Sequence, residues 1–270
     1  MIRTLVTGYG YWGRVLTRNL LAHDEFFVAG VHDPDARARE DARSANLYTF
    51  RTFDDALAFT NPQLVVIASP IGTIIEPAIQ AVSRYANVMM AKPGPVTMRD
   101  AERIFARADS KGRAVFVDYT MTAARRFSDL RSRVAFDGFD RVECCRFATG
   151  SRTTAPILYD MMVHDLALVA SLDDSLEWRV AEKEFSAEYG RVVLEAGARV
   201  AILEARRDAI AAKRELVIDD VIVWDQLEDD DARSPVQARL DRVAAALLDG
   251  WSDNRLEVMR VTRLLEECAA

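Results

Sequence analysis

The sequence predicts an α/β region built on a parallel sheet, followed by an α+β region, and three observations carry that expectation. Apolar, β-branched runs recur through the first 120 residues with amphipathic stretches between them, the pattern of strands covered on both faces by helices. A glycine-rich turn stands between the first run and the first helical stretch. Beyond residue 120 the strand-like runs crowd together with short turns, which predicts a mainly antiparallel sheet. At 270 residues the chain exceeds the usual size of one core, so two domains are expected, 1–119 and 120–270.

Taken in order, TLVTG (4–8) is the first strand and leads into a helix to about residue 23. FFVAGVHD (26–33) precedes another amphipathic stretch, and QLVVIASP (63–70) a third. NVMMAKP (87–93) comes before TMRDAERIFARADSKG, where Thr97 and Asp100 have capping-box spacing and Gly112 can end the helix. RAVFVDYT (113–120) closes the series. In the second region a helix near 127–136 and the strand RVECCRFAT (141–149) precede the helix DMMVHDLALVASL. WRVAEKEFS, RVVLEAG, ARVAILEARR and RELVIDDVIVWDQL supply further strands, and two helices, about 235–249 and 254–268, finish the chain. The acidic run Glu228 to Asp231 reads as an exposed loop.

Half of the residues are hydrophobic and 29% are charged, the balance of a soluble globular protein. A net charge of −7 opposes non-specific binding to nucleic acid or an anionic membrane, so small-molecule or protein partners are expected. Cys144, Cys145 and Cys268 fit neither a zinc spacing nor a disulfide framework, and reduced thiols in the cytoplasm are the simplest reading. No metal site is expected, and no stretch approaches the length needed to cross a bilayer.

The first turn reads Gly8-Tyr9-Gly10-Tyr11-Trp12-Gly13. Between a strand and a helix, the first glycine permits a tight turn, the second close backbone approach to a pyrophosphate, and the third close helix–strand packing. The helix N-terminus offers free N–H groups and a positive dipole end to the phosphates. Tyr11 and Trp12 lie in this turn, and Trp12 can pack either on a cofactor or on the protein. Asp33 ends the second strand 25 residues after Gly8, near the spacing at which a carboxylate meets the adenosine ribose hydroxyls. Its charge would repel a 2′-phosphate, which predicts a Rossmann domain that takes NAD in preference to NADP. The alternative is that Asp33 only caps the turn that follows it.

Lys92 stands at the C-terminal end of a parallel strand, the edge at which open α/β sheets bind ligands. Asp160 and His164 are spaced to share one helix face. The pair is either a cap with a hydrogen-bonded core histidine or part of a proton relay. Asp165 points about 100° away from His164 and reads as structural.

GYGYWG after the first strand, Asp33 after the second, IASP (67–70) after the fourth, AKP (91–93) after the fifth and the Asp160/His164 pair occur in an order that resembles the Gfo/Idh/MocA oxidoreductases, over nearly the whole chain. The resemblance implies catalytic roles for Lys92, Asp160 and His164, and cofactor contacts from Ser69, Pro70, Thr73, Lys92 and Pro93 beside those of the glycine turn. His164 would be the acid/base, Lys92 would hydrogen-bond the reacting oxygen, and Asp160 would orient the imidazole or bind a substrate hydroxyl. Lys92, Arg126, Tyr159, Asp160 and His164 would meet the substrate, and Arg152 and Thr153, just before the Asp160 helix, would line the pocket. The implied activity is NAD(P)-dependent hydride transfer at a hydroxyl or carbonyl carbon of a sugar, cyclitol or similar small polar molecule, in a homo-dimer or homo-tetramer. Two alternatives are reduction of a carbon–nitrogen double bond and a non-catalytic NAD-binding sensor. Ala91 replaces the glutamate usual before Lys-Pro, and Ile71-Gly72-Thr73-Ile74 replaces the polar residues common after the fourth strand.

Overall fold

A computed structural model describes residues 1–150, 153–227, 233–250 and 252–270, so the acidic run at 228–231 and Arg152 lie outside the described residues. The chain forms two compact units, Met1–Asp118 with Val236–Val258, and Tyr119–Pro235 with Met259–Ala270.

In the first unit β1 (Ile2–Thr7), α1 (Tyr11–Leu21), β2 (Phe26–His32), α2 (Ala36–Ser44), β3 (Thr49–Phe50), α3 (Phe53–Thr60), β4 (Leu64–Ile67), α4 (Ile75–Ser83), β5 (Asn87–Ala91), α5 (Met98–Lys111) and β6 (Val115–Asp118) follow one another. The six strands pair in parallel in the order β3-β2-β1-β4-β5-β6, the doubly wound arrangement expected of a Rossmann domain. Leu64 to Ile67 are wholly buried, as are Val88, Met89 and Met90, which is why these strands read as unbroken apolar runs. The caps behave as their chemistry dictates. Asp35, Thr52 and Thr97 accept from Arg37, Asp55 and Asp100 N–H at the starts of α2, α3 and α5, and Gly112 closes α5 in the left-handed region.

Helix α8 (Pro235–Asp249) follows the second sheet in the chain, yet Leu240, Val243, Ala244 and Ala246 belong to the hydrophobic cluster of the first unit. Its second-region position in the sequence does not reveal this. The edge strand β6 is blunted by side chains: Val115 and Val117 N–H donate to the carboxylate of Asp253 and the amide oxygen of Asn254, and Asn254 Nδ2 donates to Val117 O.

The second unit contains α6 (Arg125–Asp137), β7 (Arg141–Thr149), a π-helical turn Leu158–Met162, α7 (Val163–Leu172), β8 (Arg179–Phe185), β9 (Tyr189–Ala196), β10 (Arg199–Arg206), β11 (Asp208–Ile218) and β12 (Val221–Asp225). Its sheet order is β12-β11-β7-β10-β9-β8; β7 and β10 run parallel and the other neighbours antiparallel. The expected α+β architecture is therefore present, with one parallel pairing at its centre. RELVIDDVIVWDQL is a hairpin: Asp219 and Asp220 both take positive φ and turn β11 into β12. Helix α7 is buried almost all round, apart from His164. No helix among the described residues is long and apolar enough to cross a membrane.

Candidate functional site

In the first unit the glycine turn is shaped by sterics. Gly8 has φ +87°, and a Cβ there would lie 2.6 Å from Ala68 O. A Cβ on Gly13 would overlap Gly8 O, so α1 can approach the turn only with glycine at that place. Gly10 is different: a Cβ built on it meets nothing within 4 Å, and its φ of −68° suits any residue. The space above Gly10 is therefore open, and α1 begins there with no side-chain cap. An uncapped helix start facing open space is what a pyrophosphate needs, since orphan N–H groups then point at the ligand. The turn thus fits the cofactor that its sequence predicts. Tyr11 is exposed, whereas Trp12 packs against the hydrophobic cluster and its buried indole N–H meets no hydrogen-bond partner among the described residues.

Asp33 is 8% exposed at the end of β2. Its Oδ2 accepts from Tyr9 N–H at 2.7 Å and its Oδ1 from Asp35 N–H at 2.8 Å. The carboxylate therefore does close the Asp-Pro turn, and it grips the glycine turn as well. Beside it, Thr7 Oγ1 and His32 Nδ1 are 2.5 Å apart, and burial holds the His32 imidazole below its ordinary pKa against the opposing pull of Asp33.

Two further loops leave the same C-terminal edge. Ser69 and Pro70 follow β4, and Thr73 folds back so that its N–H and hydroxyl both donate to Pro70 O, at 3.1 and 2.7 Å. Lys92 follows β5, is half-buried, and is joined to Pro93 by a cis peptide bond. Gly94 donates to Ala91 O and lies so close to Val117 that a Cβ would be 2.6 Å from a methyl. These contacts bring Gly8, Gly10, Gly13, Asp33, Ser69, Pro70, Thr73, Lys92 and Pro93 to one edge of one sheet.

In the second unit Asp160 lies in the π-helical turn and His164 in the first turn of α7, both half-buried. Asp160 is not a helix cap; its Oδ2 accepts from Arg207 Nη2 at 3.1 Å. Arg207 follows β10, is 5% exposed, and is also held by the carbonyls of Ala155 (2.5 Å) and Ala187 (3.4 Å). Asp165 is structural, as expected. It takes three hydrogen bonds of 2.7 to 3.1 Å from Arg146, which also donates to Gln226, and burial raises its carboxyl pKa while Arg146 opposes the rise. This pair fastens α7, and with it His164, to β7.

Tyr159 lines a cavity of about 630 Å³ with Thr153, Pro156, Phe185, Arg207 and Cys268, and burial raises its phenol pKa. The Cys268 thiol is pushed up to about 12 by burial, and Cys144 and Cys145 are raised by the same cause; all three are free. Arg126 is exposed on the first turn of α6. No group of three or more His, Cys, Asp or Glu side chains among the described residues could hold a metal ion.

Arg146 and Arg207 were absent from the residues read off the sequence, although a signal was there. Val142, Cys144 and Arg146 alternate on one face of β7, and the alternation of Ala201, Leu203 and Ala205 on β10 runs on to Arg207, so strand periodicity puts both arginines on the apolar face. A cation on that face requires a buried partner.

Residues 2–119 match the Gfo/Idh/MocA family model, described as "Oxidoreductase family, NAD-binding Rossmann fold". No curated protein matches the sequence significantly. Among solved structures, GenD2 from gentamicin A biosynthesis, in complex with NAD, is similar at 19% identity and a TM-score of 0.86, over 98% of this chain and 92% of that one. UDP-N-acetylglucosamine 3-dehydrogenase from Acidithiobacillus ferrooxidans is similar at 20% identity and TM-score 0.85, over 99% and 96%. Myo-inositol 2-dehydrogenase from Lactobacillus plantarum is similar at 13% identity and TM-score 0.85, over 99% and 96%. These likenesses establish the two-domain fold across the whole chain.

Proposed function

We propose that the chain is an NAD-dependent oxidoreductase acting on a hydroxyl or carbonyl carbon of a sugar, cyclitol or related polar molecule. The observation that carries this reading is Lys92 at the C-terminal edge of the sheet whose first turn is an uncapped glycine cradle. The solved neighbours add weight to the substrate class, since two of them are named as dehydrogenases of a nucleotide sugar and of inositol.

When bound, NAD supplies the hydride acceptor or donor at its nicotinamide ring. The α1 N-terminus and the amides near Gly10 hold the pyrophosphate, and Asp33 opposes a 2′-phosphate. Lys92 donates a hydrogen bond to the reacting oxygen and stabilises charge that develops there. His164 takes the hydroxyl proton in oxidation and returns it in reduction, a task suited to a group whose ordinary pKa is near neutrality. Arg207 fixes the direction of the Asp160 carboxylate, which orients the imidazole or binds a second substrate hydroxyl.

Incubation with NAD⁺ and pooled polyols, sugars and hydroxy acids should produce NADH fluorescence, and Lys92→Ala should abolish it. Turnover that survives both Lys92→Ala and His164→Ala would remove these residues from the chemistry. A wild-type chain that binds NADH but oxidises none of the pool would favour the sensor reading. Dissociation constants for NADH and NADPH within about threefold would end the stated preference for NAD.

A further inference from the structure

We infer that Asp33 is a positioning residue which governs cofactor affinity by locking the glycine turn, in addition to any contact it makes with the ribose. This rests on the reading of Gly8 to Gly13 as the cofactor cradle.

Several contacts fasten the turn to the end of β2. Gly8 N–H donates to His32 O at 2.9 Å and the next amide, Tyr9 N–H, to Asp33 Oδ2 at 2.7 Å. The parallel pairing of β1 with β2 thus continues one residue past Thr7, and the Asp33 carboxylate takes the amide after it, which the ladder itself would leave free. Tyr9 itself is 5% exposed and belongs to the hydrophobic cluster, so the turn is anchored by its backbone and its side chain at the same residue. On the other side Asp33 Oδ1 takes the Asp35 N–H, and Arg39 Nη1 donates to the carbonyls of Asp33 and Pro34, both at 2.8 Å. Each carboxylate oxygen therefore already holds one backbone N–H, and the group is nearly shielded from solvent. A carboxylate accepts several hydrogen bonds, so ribose hydroxyls can add to this arrangement but do not replace it.

Immediately after the locked pair comes Gly10, exposed and sterically open, where α1 begins. Holding Tyr9 still holds the amides that follow it in one direction before any ligand arrives, and preorganised donors spend no binding energy on ordering. A residue that acted only by its charge would need neither oxygen bonded to the protein.

The two roles separate on substitution. Asp33→Asn keeps the shape but turns an NH₂ group toward one of the two N–H donors, so one strut is lost. Affinity for NADH, followed by nucleotide fluorescence, should then fall by about tenfold or more, and NADPH should bind no more tightly than to the wild type although the charge that opposes its 2′-phosphate is gone. Asp33→Glu keeps the charge but displaces it by a methylene, and should also weaken both. In the cofactor-free wild type, hydrogen exchange should show the Tyr9 amide as protected as that of Gly8, and Asp33→Asn should lose that protection. An Asp33→Asn chain that binds NADPH more tightly than the wild type, with Tyr9 exchange unchanged, would overturn the inference. So would a wild-type Tyr9 amide that exchanges as fast as the exposed Gly10, an outcome readable even if the variants fail to fold. Failure of the cofactor reading is separate: the wild type would then bind neither nucleotide, whatever its exchange pattern.

Discussion

At the C-terminal edge of the first sheet the groups offered to a ligand are backbone amides, made available by Gly8, Gly10 and Gly13, whereas the polar centre of the second unit is made of paired side-chain charge, the buried Arg146 with Asp165 and the buried Arg207 with the half-buried Asp160. The first kind of site is limited by space and the second by partnership. A methyl group in the wrong place should damage the one, while the other should suffer most when a single partner is removed.

The largest effect should come from breaking the Arg146–Asp165 pair on one side only. Arg146→Met leaves a buried carboxylate without its counter-ion and should cost about 3–5 kcal/mol in urea unfolding. The double variant Arg146→Met/Asp165→Leu should recover most of that loss, because the desolvation penalty disappears with both charges; no recovery would show that the pair is needed for more than mutual compensation. The complementary change in the first unit is Gly10→Val. Nothing lies near its Cβ, so thermal stability should move by less than about 0.5 kcal/mol, yet NADH affinity should fall by at least about tenfold as the side chain fills the cradle.

Smaller effects sharpen the contrast within the first unit. Thr97→Ala removes the acceptor of Asp100 N–H and should cost about 1 kcal/mol without altering NADH binding, since α5 is capped from within while α1 is left for a ligand. The smallest effect is on pH dependence. Burial lowers the folded-state pKa of His32, so between that value and the unfolded value near 6.5 the unfolded chain binds more protons. Stability should therefore be full above about pH 6.5 and decline as pH falls below it, and His32→Gln should flatten that part of a pH–stability curve.

Much of the first unit was legible because most of the devices that shape its strands and helices are local. Strand runs, the Thr97 cap, the Gly112 stop and the glycine turn each depend on residues adjacent in sequence. The Asp160/His164 spacing was equally visible, but its surroundings were not: Asp160 lies in a π turn and its partner Arg207 stands 47 residues on, joined only through sheet register. Strand periodicity marked both Arg207 and Arg146 as cations on an apolar face. What it could not supply was the partner, because the pairing of β7 with β10, and hence what α7 meets, is a property of the folded sheet. Asp33 was read as a ligand-facing charge or as a turn cap, and its bond to Tyr9 escaped because backbone donors leave no trace in composition.

The return of α8 to the first unit bears on how the protein is made. The parallel sheet is complete in the chain by Asp118, but Leu240, Val243, Ala244 and Ala246, which complete its hydrophobic cluster, follow more than a hundred residues later. At ordinary rates of synthesis that interval lasts on the order of ten seconds. During it the nascent Rossmann unit carries an apolar surface that its own residues do not cover, and a fragment ending at 119 would keep that surface permanently. Completing this domain thus depends on residues translated only after the whole of the second sheet.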